Sequence, residues 1–561
     1  LRRGLRLFIA PGIVLAACMV ADVALRHQAY GERLEYLYYR AGVLKIVAAY
    51  GLSLAVTALL LAATYAIPRV GKYLIGVLVA GLFVANQAYH ATIGHFINVA
   101  DARVMENADR DVFSGAMAAY FRPDMLIFIP IAIALGVLAI RAGRTFPGPL
   151  NGWGARGVLA VGALVANCAL WDYLYIKCHD FPVEALTSTM RTAFYVEKEN
   201  REFLSVPREE LPAVPAAAPT DNIVLIFDES VRVDYVSINN PAIGTTPFLA
   251  ELARRPGFVN YGLMIAATTC SFTGKALMFT GTTVAPDRDR RAMSNPTIFQ
   301  HAKRWGYRTI VLDGPGRNFP NIAIRERDLG AVDVLLRASE IPGTSAFADL
   351  NAAAHVRKVV TESQGNFIVL IKVGAHFHYE RCYPSAEERY ARFLPRLSPG
   401  ESYGSSRERT INSYKNALSF TVDTFFETLA RDPLPGTTIF WTSDHGQSLQ
   451  EQGQTYTHCK DELEQAVVPF VMLSDVPWVL ENAASPSRDM ILTHHHLFPS
   501  LVSVFAKRRE EENGGYRSLF SARVGEARPP LVYVYGGVWA NSRTLSVDPV
   551  RLDAFRAIRP D

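Results

Sequence analysis

The apolar residues of this chain are unevenly placed. They crowd into the first 175 positions as five runs: Leu7–Leu25, Val43–Ile67, Leu74–Ala88, Met125–Ile140 and Val158–Trp171. A helix needs about 20 apolar residues to cross hydrocarbon, so the first two runs suffice alone and the other three borrow length from their flanks. Such runs cannot all be hidden in one water-soluble core. A chain of 561 residues also exceeds what one core holds. The expectation is a five-span membrane anchor over residues 1–175 and a separate domain behind it. Arg2, Arg3 and Arg6 precede the first run as in a signal peptide, but no small-residue cleavage site follows, so that run reads as a retained helix.

Charge gives the orientation. The N-terminal segment, the Arg69–Lys72 turn and the Arg141–Arg156 loop carry Lys and Arg without an acid, whereas the alternate loops mix both signs. The acid-free side should be cytoplasmic. An odd number of spans then puts everything after residue 175 on the far side, the periplasm in a bacterium with two membranes, so a multi-pass protein of the inner membrane is expected. The net charge of +4 is small for this length and argues against a nucleic-acid partner. Cys18 and Cys168 fall in spans. Cys178, Cys270, Cys382 and Cys459 lie on the oxidising side, where disulfides are allowed but spacing does not pair them. Cys270 reads as a bystander.

Residues 176–220 read as an amphipathic bridging segment ending in the Pro/Ala-rich linker Leu211–Pro219. From residue 221 to 561 the pattern is α/β. Asn222–Phe227, Thr309–Leu312, Phe367–Val373, Thr438–Thr442, Val467–Leu473 and Leu531–Tyr535 are short apolar, β-branched or aromatic runs, separated by helical stretches such as Phe248–Arg255 and Asn412–Leu429. That alternation predicts a largely parallel sheet flanked by helices, with chemistry at the carboxyl edge of the strands.

Two of these strands run into chemistry-bearing residues: Asp228-Glu229-Ser230 and Ser443-Asp444-His445-Gly446. Asp228 alone is as readily a turn or cap residue. Glu229, Asp444 and His445 together are a metal-ligand set, favouring zinc with manganese admissible. Ser271 is the candidate nucleophile, although a serine there could simply cap a helix starting near Lys275. His376, His378 and His458 are single histidines, more often hydrogen-bonded than functional. His494–His496 precede a helix and read as structural.

Ser271-Phe-Thr-Gly-Lys275, followed by Thr280-Gly281, resembles the signature of the alkaline phosphatase/sulfatase superfamily, and Thr246-Pro-Phe-Leu and Thr442-Ser-Asp-His-Gly446 are similar to its other landmarks. Within it the chain resembles the membrane-anchored phosphoethanolamine transferases. The shared features are the anchor, Glu229-Ser-Val-Arg232-Val-Asp234, Gly374-Ala-His376, Tyr383-Pro384, Asn412-Ser-Tyr414-Lys-Asn416, Tyr456-Thr-His458 and His494-His-His-Leu-Phe498. The resemblance implies zinc on Glu229, Asp444 and His445, with Ser271 as nucleophile and fourth ligand. It gives His376 and His458 roles in catalysis and in holding the phosphoryl group, and adds Lys275 and Asn107, in Met105-Glu-Asn107, to the substrate contacts. It implies a phospholipid donor such as phosphatidylethanolamine and an envelope glycan or lipid A acceptor. The chain departs from that pattern in three places. Serine replaces the usual threonine nucleophile, Leu277 stands where the family has a cysteine of a local disulfide, and Ser114-Gly115 occupies the place of a headgroup glutamate. Phosphoglycerol transfer, sulfatase or phosphodiester hydrolysis, and a catalytically silent binding protein are the alternatives.

Overall fold

A computed structural model describes residues 7–39, 43–67, 70–93, 96–97 and 123–144, isolated stretches between 102 and 197, and 206–556 apart from loops at 215–217, 285–287, 317–323, 399–400, 402–404, 454–456, 487–489, 525–530 and 536–542. The chain forms two compact units that divide near residue 203.

In the N-terminal unit the first four apolar runs are helices: Ile9–Tyr39, Val43–Tyr65, Gly71–Ile93, and Phe128–Ala142 with a 3-10 turn, Pro123–Ile127, in front of it. Among the described residues three segments are long and apolar enough to cross a membrane, Ile9–His27, Gly71–Ala91 and Pro123–Ala142, and Tyr50–Tyr65 is a shorter apolar helix. Of the fifth run only 158–163 and 165–166 are described, as helix. Small residues let two of these helices approach closely, since a Cβ on Gly136 would lie 2.8 Å from the carbonyl oxygen of Gly76. The one sharp irregularity in the first helix is at Arg26, whose guanidinium makes two hydrogen bonds to buried Asp22 while Gln87 also donates to that carboxylate. A charge in apolar surroundings persists only with such partners.

The second unit is built on an eight-stranded sheet: β1 (Asn222–Asp228), β2 (Phe258–Ile265), β3 (Arg308–Asp313), β4 (Val334–Arg337), β5 (Asn366–Ile371), β6 (Thr437–Ser443), β7 (Val467–Ser474) and β8 (Leu492–Thr493), in the order β4-β3-β5-β1-β6-β7-β2-β8. From β4 to β6 every pairing is parallel. β7 is antiparallel to both β6 and β2, and β8 is parallel to β2, so β7 alone runs against the rest. The central strands β1, β5 and β6 are buried along their whole length, as a sheet covered on both faces requires. One face packs Ile223, Leu225, Phe227, Phe367 and Phe440 against Phe279, Phe299 and Phe505 from the covering helices.

Five of the six expected strands lie in this sheet. The sixth, Val532–Tyr535, pairs instead with Arg543–Ser546 in a separate antiparallel hairpin and touches the site region through a bridge between Val534 and Thr268. β2 and β4 carry too little continuous apolar sequence to be read as strands: Asn260 and Gly262 interrupt β2 at an irregularity in its register, and all four residues of β4 are half-exposed.

Candidate active site

The register of β1 and β6 pairs Asp228 with Ser443, so the next residues, Glu229 and Asp444, leave the sheet side by side. The Asp444 N–H donates to the Asp228 carbonyl at 2.9 Å and continues the ladder one step past the strand. Glu229, Asp444 and His445 each offer a ligand atom, all within 4.8 Å of one another, and all three residues are buried. The His445 ring is oriented by its own backbone: Nδ1 donates to the Gly446 carbonyl at 2.6 Å, which leaves Nε2 facing Glu229 Oε1 at 3.3 Å.

Ser271 enters from a third element. Its helix, Ser271–Phe279, begins at Ser271 itself, with Cys270 in the capping position and no side-chain cap. The alternative of a serine capping a helix that starts near Lys275 is therefore not what the chain does. Oγ of Ser271 instead donates to Glu229 Oε1 at 3.0 Å and lies 2.9 Å from His445 Nε2. Lys275, one turn on, is buried and places Nζ 3.2 Å from Asp444 Oδ2 and 3.5 Å from Glu229 Oε2.

A second wall comes from loops. After β5 the chain passes so close to β1 that a Cβ on Gly374, at φ +58°, would sit 2.6 Å from Asp228 Oδ1 and 2.7 Å from the Glu229 nitrogen; only glycine fits. The Ala375 N–H donates to the Glu229 carbonyl at 3.0 Å and so delivers His376 to the site. The His376 and His458 rings are 5.9 Å apart, and His458 stacks on His445 at 4.5 Å.

Burial raises the Glu229 carboxyl, but Lys275 and His445 outweigh it and hold Glu229 well below the usual carboxylate range. Asp444 is pushed up by burial and by the neighbouring Glu229. Burial lowers His445, yet Asp444 and Glu229 lift it to about 9. Burial, His445 and His376 drive His458 well below its ordinary value and keep it neutral. Two buried carboxylates beside an imidazole persist only with cationic partners, here Lys275 and His445 itself, and a divalent ion can take the place of the proton on His445. A divalent metal fits: oxygen and nitrogen donors of zinc type, one imidazole nitrogen already aimed, and a hydroxyl at the open position.

A family model described as sulfatase matches residues 221–506. The chain belongs to the sulfatase family. It is 23% identical over 430 residues to phosphatidylethanolamine transferase Mcr-1 of Escherichia coli, covering 67% of this chain and 74% of that protein. Mcr-2 of the same organism is 22% identical over 331 residues, covering 52% and 56%. The integral membrane lipooligosaccharide phosphoethanolamine transferase A of Neisseria meningitidis superposes with a TM-score of 0.58 at 18% identity, over 90% of this chain and 94% of that one, a likeness of fold.

In this sulfatase-family chain the expected residues Glu229, Asp444, His445, Ser271, Lys275, His376 and His458 converge. Asn107 lies outside the described residues. Asp228 faces away from the metal-ligand group, forming a fully buried pair with Lys372 at 2.5 Å and accepting from Trp441 Nε1 at 3.0 Å. Burial raises Asp228 to about 6 against the pull of Lys372. Tyr414 is a second support: its hydroxyl donates to the Ser230 carbonyl at 2.6 Å and accepts from the Arg232 N–H at 2.9 Å. Cys270, expected to be a bystander, is bonded to Cys459. Lys372 and Cys459 gave no local signal; the Asn412-Ser-Tyr414 pattern did, without disclosing its partner. His494–His496 form a buried 3-10 turn, with His494 Nδ1 accepting from the Ala267 N–H.

Proposed function

We propose that this chain is a membrane-anchored phosphoethanolamine transferase that moves the headgroup of a membrane phospholipid, phosphatidylethanolamine, to an envelope glycan or lipid A through a covalent intermediate on Ser271. The observation that carries the reading is the Ser271 hydroxyl, in hydrogen-bond contact with both Glu229 and His445 at the open side of the ligand trio. Likeness to the Mcr-1 and Mcr-2 transferases supports the choice of group transferred.

Glu229, Asp444 and His445 would hold zinc, which when bound would lower the pKa of a neighbouring hydroxyl and offset charge on a phosphoryl oxygen. Ser271 Oγ attacks phosphorus as its proton passes to neutral His458, which stacks on His445. The bond from phosphorus to the glycerol oxygen breaks, and diacylglycerol leaves carrying a proton. An acceptor hydroxyl or phosphate oxygen then attacks the Ser271 ester and restores the serine. His376 donates through Nδ1 to the Phe377 carbonyl, leaving Nε2 free to accept the acceptor's proton. Neutral His458 serves beside it. Lys275 keeps the carboxylates ionised, and Asn107 joins the substrate contacts. The anchor crosses the inner membrane five times with its N-terminus cytoplasmic, which puts the catalytic unit in the periplasm, where both lipids are within reach.

Incubation with phosphatidylethanolamine labelled in its headgroup tests this. Phosphoethanolamine should appear on the Ser271 peptide by mass and be absent in Ser271→Ala, with metal content and fold preserved; Ser271→Thr should retain transfer. A phosphoglycerol adduct from phosphatidylglycerol, with none from phosphatidylethanolamine, would replace the donor. Full transfer by Ser271→Ala would sink the covalent route.

A further inference from the structure

Cys270 and Cys459 are joined across 189 residues of sequence. Each is the immediate neighbour of an active-site side chain: Cys270 precedes Ser271, and Cys459 follows His458. The same two segments are also tied through the backbone, the Cys459 N–H donating to the Thr269 carbonyl at 2.8 Å. Cys459 itself is held at φ +68°. A residue with a Cβ adopts that left-handed conformation at a cost, and keeps it only where its surroundings over-determine it. Among the described residues, the disulfide and that hydrogen bond are restraints of this kind on Cys459.

His458 has little else to fix it. It stands in no helix or strand; Thr457 hydrogen-bonds its Nδ1 at 2.9 Å, the Ser448 N–H donates to the Thr457 carbonyl, and the ring rests on His445. The metal-ligand trio is supported quite differently. Glu229, Asp444 and His445 leave β1 and β6 directly: the Asp444 N–H donates to the Asp228 carbonyl, the Glu229 N–H to Asp228 Oδ1 and the His445 N–H to Asp444 Oδ1. Opening the disulfide therefore touches one wall of the site and spares the other.

We propose that the Cys270–Cys459 disulfide is a positioning device that holds His458 on His445, so that group transfer requires the oxidised pair while metal binding does not. The transfer readout rests on Ser271 as nucleophile; the placement of His458 does not. A water-soluble phosphine opens the bond with balanced chemistry: phosphorus attacks one sulfur, the other leaves as thiolate, and water converts the phosphonium to phosphine oxide and supplies the protons for two thiols. Cys459 is then free to relax to negative φ and carry His458 off His445. Cys270 is buried, but Cys459 is half-exposed and open to the reagent.

The test uses full-length, metal-loaded protein in detergent with labelled phosphatidylethanolamine. Phosphine treatment should lower kcat on the order of 10²-fold, the scale of losing a general acid–base group. KM for the donor should move less than about threefold, metal per chain should stay constant, and reoxidation should restore the rate. The Cys270→Ser/Cys459→Ser double variant should begin at the reduced rate and ignore the phosphine. Unchanged kcat in the reduced protein, or a kcat that falls only in step with lost metal, overturns the proposal. If the untreated protein forms no Ser271 adduct, it is the nucleophile assignment that fails, and the placement of His458 is decided separately by its acylation with diethyl pyrocarbonate. Several-fold faster acylation after reduction supports the device; an equal rate before and after overturns it.

Discussion

The two walls of the site are built by different means. Glu229, Asp444 and His445 stand on the ends of adjacent central strands whose every residue is buried. Beneath them the Asp228–Lys372 pair, with Trp441 donating to it, locks β1, β5 and β6 together. His376 and His458 stand on connecting segments, set by one backbone bond to Glu229, a stack on His445 and a disulfide. The ordered backbone of a parallel sheet can fix three ligands to the tolerance a metal demands. Groups that must meet substrates of varying shape sit on loops, where movement costs less. The division predicts that damage to the first wall removes metal and damage to the second removes rate.

The largest effect should come from His445→Ala. With the only imidazole of the trio gone, metal should fall below half an equivalent, and transfer should drop at least about 10³-fold, as on loss of a core catalytic group. Retained metal with normal transfer would erase the distinction between the walls. Lys372→Met probes the foundation of the strand wall. It leaves Asp228 buried without its cation, and breaking such a pair costs about 3–5 kcal/mol, measured by denaturant unfolding. Asp228→Asn/Lys372→Met together should cost less than the single change, because no charge is stranded.

His458→Ala bears on the loop wall and should lower kcat about 10²-fold with metal content unchanged. Loss of metal in this variant would join the two walls into one unit. The smallest effect is a pH dependence from His494–His496, packed under the end of β6. Burial, aided by neighbouring histidines for the first two, holds His494 and His495 at about 3 and His496 at about 4, against 6.5 for an ordinary histidine. The folded state then binds fewer protons than the unfolded chain, so this contribution is complete above about pH 6.5 and is lost as pH falls toward the folded values. Between pH 7 and 6 it should remove up to about 2 kcal/mol in unfolding experiments. His495→Phe should flatten that slope by about a third, since its Nε2 has no hydrogen-bond partner among the described residues and its ring packs on Tyr516.

What could be read along the chain was whatever neighbouring residues encode by themselves. Four of the apolar runs are helices because the few polar residues in them do not break the run, and β1 and β6 are strands because six or seven buried, mostly β-branched or aromatic residues lead straight into Asp228-Glu229 and Ser443-Asp444-His445. The Ser271 hydroxyl stands at the start of a helix, but the first residue of that helix is not marked locally, since Cys270 is an unusual residue for a capping position. β2 escaped notice because Asn260 and Gly262 break its pattern, although its place between β7 and β8 makes it part of the core sheet.

The sequence alone determined the division into an apolar helical half and an α/β half, and the residue types that gather at the strand ends. Only the tertiary structure decided that Asp228 pairs with Lys372 across 144 residues, that Val532–Tyr535 leaves the main sheet, and that Cys270 joins Cys459. Periodicity and capping act between residues a few positions apart, so they are written locally. Pairings between distant segments depend on strand order and register, and these are fixed by how all the apolar faces are buried together.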